Sequence, residues 1–324
     1  MRSFSCDTCG QLVFFENTVC LRCGSDLGFE PRRRELVTLS PGAARCANFE
    51  LAGCNWLVDT TGELCASCRL TRTRPADDDA DGVERFRDAE AAKRWLLFEL
   101  GELGLPVQSW REREGGMAFE LLSSDRGPVT TGHADGVVTL DVAESDDAHR
   151  EALREKLGEP YRTVLGHFRH EIAHYYWPLL VPDGPARERF RALFGDERED
   201  YGAALERHYE SGPPFDWSQR FVSAYATMHP WEDWAETFAH YLHIWDTLQT
   251  AGAYGVNVRG AEDPAPDGGD FQELLADWLP LTYALNALSR SMGRDDLYPF
   301  VLPAPVVEKL GFVHERVTAA SRQD

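Results

Sequence analysis

Residues 167–177 read His167-Phe168-Arg169-His170-Glu171-Ile172-Ala173-His174-Tyr175-Tyr176-Trp177. His170 and His174 are four positions apart. On a helix, such residues share a face, about 6 Å apart along the axis. Two imidazoles at that spacing can grip one zinc ion. Glu171, beside the first histidine, can then reach the water on the ion and take its proton. The ion draws that water's pKa toward roughly 7, so hydroxide is available near neutrality.

Two histidines leave such a site one protein ligand short, because catalytic zinc takes three and keeps one position open. A metzincin would place Gly and His three and six residues after His174. Trp177 and Leu180 stand there, which excludes that class. A gluzincin needs a Glu on a later helix. The segment Trp231-Glu232-Asp233-Trp234-Ala235-Glu236-Thr237-Phe238-Ala239-His240 supplies two, again at i and i+4. Its aromatic residues predict burial, and buried carboxylates need partners. We assign Glu232 as the ligand, with Glu236, Asp233 and His240 as alternatives. Glu236 is expected to accept a hydrogen bond from a ligand histidine and fix its tautomer.

Acyl hydrolysis also needs a donor for the oxyanion. Tyr225 lies seven residues before Glu232, about two turns away if the helix is continuous, although Pro230 between them allows a break. His229 is a second candidate, and for both a packing role is an equal reading. His167 shares the face of His170 and His174 but would crowd a tetrahedral ion, so packing or support of a ligand is expected of it. His240 and His243 read as packing or substrate-facing residues.

All eight cysteines precede residue 69. Cys6-x2-Cys9 and Cys20-x2-Cys23 are each followed by Gly, as in zinc knuckles, and predict a four-thiolate zinc site. Cys46, Cys54, Cys65 and Cys68 predict a second, with disulfides or free thiols as the alternative for both sets. Zinc would fold a segment too small to fold on a core alone.

The 324 residues carry a net charge of −21, spread unevenly: residues 1–75 hold +1 and the remainder −22. The acidic body repels nucleic acid and anionic membrane. The ribbons are near neutral, which favours protein docking or a lid role over nucleic acid, despite Arg32–Arg34, Arg69, Arg72 and Arg74. There is no apolar run of signal-peptide or membrane length, and cysteine pairs arrive at once, so the reading is cytoplasmic.

Three segments follow: a zinc-ribbon module (1–75), an acidic linker (76–83) and a catalytic body (84–324). In the body, periodicity predicts helices over 84–103, 160–177, 221–228 and 231–248, a helix over 271–292 broken by Pro280, and a last helix after Pro305. A helix capped at Asp146 or Asp147 runs to 157 in this reading, one or two surface helices fall within 183–216, and 252–270 is a loop. Strands are predicted over 117–122 and 136–142. The second, if it is an edge, could bind extended peptide by strand addition; an ordinary core strand is the equal alternative. The fold class is α+β, mostly helical and zincin-like, with a small sheet and an N-terminal Cys-rich module.

Four segments, HFRHEIAHYYW (167–177), MHPWEDWAETFAHYLHI (228–244), DLYPFVL (296–302) and CASCRLTRTR (65–74), together resemble a bacterial family of zinc-binding metallopeptidases with an N-terminal zinc-ribbon domain. The resemblance covers almost the whole chain and implies a zincin-like fold and peptidase activity. The spacing from Tyr225 to Glu232 is similar to that in lethal-factor-like toxin peptidases, which implies a transition-state role for Tyr225. Ala173 departs from the Gly of many relatives, and its methyl is expected to tighten packing behind the metal. The expectation is a zinc-dependent peptidase acting on peptide or protein, with one catalytic and two structural ions. The rival is a catalytically silent adaptor that works through its ribbons.

Overall fold

A computed structural model describes residues 1–146, 163–258 and 270–322. The expected helix from 146 or 147 to 157, the start of the helix from 160 and most of the expected loop over 252–270 lie outside the described residues. The chain divides into two compact units. The first holds Met1–Gly101, Pro106–Lys156 and Thr163–Phe168; the second holds Glu102–Leu105, Leu157–Arg162 and Arg169–Asp324.

The first unit begins with three two-stranded antiparallel ribbons: β1 (Phe4–Ser5) with β2 (Leu12–Val13), β3 (Leu27–Glu30) with β4 (Glu35–Thr38), and β5 (Ala44–Arg45) with β6 (Leu57–Val58). One helical turn, α1 (Phe49–Ala52), sits between the last two strands. The ribbons pack Phe4, Phe15 and Phe29 around Phe98 of the long helix α2 (Ala80–Glu102), with ring centroids 5.3–6.2 Å apart. That helix starts inside the acidic stretch 76–83. Asp79 accepts the Gly82 N–H at 2.9 Å and is buried.

A four-stranded sheet follows, in the order β7 (Thr71–Thr73), β8 (Ala118–Leu122), β10 (Val137–Asp141), β9 (Gly132–Ala134). β10 runs parallel to β8 and antiparallel to β9. Of the two readings of 136–142, edge strand or core strand, the structure has the core strand, and the edges are β7 and β9. Asp135 (φ 48°) and Gly136 (φ 84°) make the tight β9–β10 turn. A Cβ on Gly136 would meet the Gly115 carbonyl oxygen at 2.4 Å.

The second unit is helical. It contains most of α3 (Val164–Leu180), then α4 (Pro185–Phe194), α5 (Tyr201–Ser211), α6 (Pro230–Ala253), α7 (Phe271–Ser291) and α8 (Ala304–Ser321). Its core is aromatic: Tyr176, Phe190, Trp234, Phe238 and Phe312 are almost wholly buried. Neither helical proline acts as a stop. α3 runs through Pro178 and closes with the Val181 N–H on the Trp177 carbonyl at 2.9 Å; α7 runs unbroken through Pro280. Each proline deletes one helical donor, and packing of the flanking turns compensates. Residues 221–228, expected as a helix, hold only a 3₁₀ turn at Tyr225–Thr227. Among the described residues, no helix is long and apolar enough to cross a membrane.

Candidate metal centre and active site

Met228 closes the 3₁₀ turn, and His229 caps the start of α6. Its backbone is extended (φ −155°, ψ 152°), and Pro230 takes the first helical position. Tyr225 and Glu232 are thus on separate elements. The first turn of α6 presents Glu232, and the next presents Glu236. α3 lies alongside, held by the Trp234 indole N–H on the Ala173 carbonyl (2.9 Å) and by the buried Arg169–Asp246 ion pair (2.9 Å). Ala173 itself is fully buried.

The two helices bring His170, His174 and Glu232 together, with one ligand atom of each within 4.8 Å of the others. Glu232 Oε2 is 3.0 Å from His170 Nε2, and Oε1 is 3.6 Å from His174 Nε2. A tetrahedral zinc with bonds of about 2.0–2.1 Å sets its ligand atoms about 3.3–3.4 Å apart, so these spacings suit one ion. Glu236 Oε1 is 2.7 Å from the other nitrogen of the same ring, His170 Nδ1.

The electrostatics point the same way. Burial opposes charge on His170, but hydrogen bonds to Glu232 and Glu236 and the charge of Glu171 hold its pKa well above the usual histidine range. Burial likewise opposes ionisation of Glu232 and Glu236, yet His170 keeps Glu232 far below the carboxylate range and Glu236 at about 2. Three carboxylates therefore face two imidazoles. Of these groups, His170, His174 and Glu232 could hold one divalent cation.

The other candidates fall outside the cluster. Asp233 turns to Lys309 Nζ at 2.6 Å. His240 Nδ1 pairs with the Tyr298 hydroxyl at 2.7 Å, and His243 packs on Trp278 and Tyr298. His167, in the first unit, meets Glu144 at 2.5 Å. His229, the second oxyanion-donor candidate, sits at the cap of α6. Its Nδ1 accepts the Trp231 N–H at 3.1 Å, its Nε2 donates to the Glu199 carbonyl at 3.1 Å, and it is 2 % exposed. No N–H of its neutral ring is left for a substrate.

Tyr225 does lie at the cluster, its ring centroid 5.9 Å from that of His170. Burial, then the charge of Glu232, pushes its phenol far above the usual tyrosine range, so it remains a donor. Two further residues come from α5. The Tyr201 hydroxyl donates to Glu232 Oε1 at 3.0 Å, and the His208 ring sits 5.9 Å from Tyr225. Both belong to a polar surface helix with no motif spacing, and nothing in the sequence marks them.

In the first unit, Cys6, Cys9, Cys20 and Cys23 form one cluster and Cys46, Cys54, Cys65 and Cys68 another, each with all sulfurs within 4.8 Å. Cys6–Cys23, Cys9–Cys20 and Cys54–Cys65 are 3.6, 3.7 and 3.6 Å apart. A disulfide needs about 2.05 Å. Four sulfurs on one zinc at about 2.3 Å lie about 3.8 Å apart. Gly10 and Gly24 take positive φ (69° and 74°), and their N–H groups close the knuckles on Cys6 and Cys20 carbonyls at 2.8 Å.

Residues 82–316 match the model of a family described as "putative zinc-binding metallo-peptidase", and residues 3–79 match a zinc-ribbon domain. An uncharacterized protein of Mycobacterium bovis is 53% identical over 322 residues, covering 97% of this chain and 94% of the relative. Uncharacterized proteins of two Mycobacterium tuberculosis strains match to the same extent. No solved structure matches the chain. The His–His–Glu cluster lies inside the first matched stretch and the two cysteine clusters inside the second, and the chain belongs to this zinc-binding metallo-peptidase family, with a zinc-ribbon domain at its N-terminus.

Proposed function

We propose that the protein is a gluzincin-type zinc peptidase. His170, His174 and Glu232 are its catalytic metal ligands and Glu171 its general base. The observation that carries this is the convergence of Glu232 and Glu236 on the two nitrogens of His170, with His174 beside them. A zinc ion held by these residues would supply Lewis acidity, lowering the pKa of the attacking water and polarising the scissile carbonyl.

The protein's own groups then divide the work. Glu171 takes the proton of the attacking water and passes it to the leaving amine. The Tyr225 hydroxyl donates to the carbonyl oxygen as negative charge develops there. Glu236 holds the His170 ring in the tautomer that points Nε2 at the ion. Peptide or protein is the substrate. Each four-cysteine cluster holds one structural zinc as thiolates, which suits a reducing compartment such as the cytoplasm, and the ribbons are free to dock a protein partner.

Metal content of the pure full-length protein tests this reading. Wild type is expected to hold three zinc ions, and a His170→Ala/His174→Ala variant two. Two in both would remove the catalytic site and favour an adaptor acting through the ribbons.

A further inference from the structure

Tyr201 is more than one-third exposed, yet it turns its hydroxyl inward onto a carboxylate that is 2 % exposed. A surface phenol has water available and gains little by pointing inward unless its place is imposed. Here it is imposed. Asp200 caps α5, accepting the Ala203 N–H at 2.7 Å, which fixes the first turn that carries Tyr201. The Glu199 carbonyl, two residues before Tyr201, accepts from His229 at 3.1 Å, so the entry to α5 is pinned to the cap of α6. The Tyr201 ring packs on His229 and Trp231, with centroids 5.3 and 6.5 Å away. Glu232 follows directly on Trp231, so the same contacts locate both ends of the Tyr201–Glu232 hydrogen bond.

We propose that Tyr201 is a positioning residue for the metal centre, resting on the assignment of Glu232 as a ligand. Its hydroxyl donates to Oε1 while Oε2 faces His170 at 3.0 Å, which fixes the rotation of the carboxylate and which oxygen each partner meets. Glu232 has no other hydrogen-bond donor among the described residues besides the histidines it would share with the ion. Glu236 holds one ligand, His170, from behind; Tyr201 holds another, Glu232. The His208 ring, also on α5, sits 5.9 Å from that of Tyr225, the donor proposed for the carbonyl oxygen. α5 thereby becomes a wall of the site through Tyr201 and His208.

The test is Tyr201→Phe in the full-length protein, which deletes the hydroxyl and keeps the ring packing. Zinc affinity of the third site is measured by chelator competition, and cobalt substituted into that site reports the ligand field. Loss of a group that orients a ligand costs about 10–100-fold in metal affinity. We expect a fall of at least tenfold and an altered cobalt absorption spectrum. Wild-type affinity and spectrum in Tyr201→Phe, with a third zinc present in the parent, would overturn the proposal and leave the peptidase reading intact. Absence of a third zinc from the parent would overturn both.

Discussion

Glu236 Oε1 stands 2.7 Å from His170 Nδ1, on the side of the ring away from Glu232. The two carboxylates are one turn apart on α6 and clasp one imidazole from both edges. A histidine so held presents Nε2 in a fixed direction, and its basicity is raised by the carboxylate behind it.

Removing that clasp tests its part. Glu236→Ala should weaken the third zinc by about 10–100-fold, and Glu236→Gln, whose amide oxygen still accepts from Nδ1–H, by less. Chelator competition reads both. Equal affinity in Glu236→Ala and wild type would show that the His170 ring needs no such support.

Glu171 neighbours His170 and is half-buried, and its charge reaches both His170 and Tyr225. Glu171→Gln keeps the shape and removes the base. Three zinc ions should remain, with peptide turnover lowered by about 10²–10⁴-fold. A variant that cleaves peptide at the wild-type rate would rule out this mechanism.

Much of this site was legible because helical spacing is local. His170 and His174, and Glu232 and Glu236, are pairs whose shared face follows from 3.6 residues per turn alone. What the sequence hid is tertiary. Tyr201 reaches Glu232 from a helix whose pattern reads only as polar surface. The strand over 136–142 was legible, but a strand pattern reports the two faces of a sheet and is silent on which strand is an edge. For His229 a signal was present: an extended residue before a proline that opens a helix is in the cap position. Pro280 misled: it reads as a break, and α7 runs through it.

Asp233 and Lys309 form a buried pair, 1 % and 6 % exposed at the side chain and 2.6 Å apart. Burial pushes the Asp233 carboxyl up to about 7 even with Lys309 pulling it down. Lys309→Met leaves that carboxylate unpartnered and should cost about 3–5 kcal/mol, whereas Lys309→Met with Asp233→Asn should be nearer to wild type. Thermal unfolding of the three proteins forms the comparison. Additive losses would mean that the pair is not coupled.

Glu197 accepts three contacts from the Arg191 guanidinium, at 2.6, 2.9 and 3.2 Å. These hydrogen bonds hold its carboxyl below the usual range. A depressed folded-state pKa adds stability that is present above the unfolded value, about 4.3, and is lost as pH falls through the folded one. Glu197→Gln should therefore melt lower than wild type at pH 6–7, and the gap should close as the pH drops below about 4. A gap independent of pH would assign the effect to packing.

The two cysteine clusters differ in their exposure to reagents. Cys23 is exposed and Cys9 half-buried, whereas Cys46, Cys54, Cys65 and Cys68 are all buried. Hydrogen bonding with Ser25 also holds the Cys23 thiol below the usual thiol range, at about 6. A thiolate that solvent can reach is the form that alkylating and oxidising agents attack. Under mild alkylation the first cluster should lose its zinc well before the second, with Cys23 modified first. A zinc-sensitive dye gives the release steps, and peptide mass mapping gives the modified residue. Release of both zincs in one step, or first modification at Cys46–Cys68, would show that opening of the fold rather than static exposure governs access.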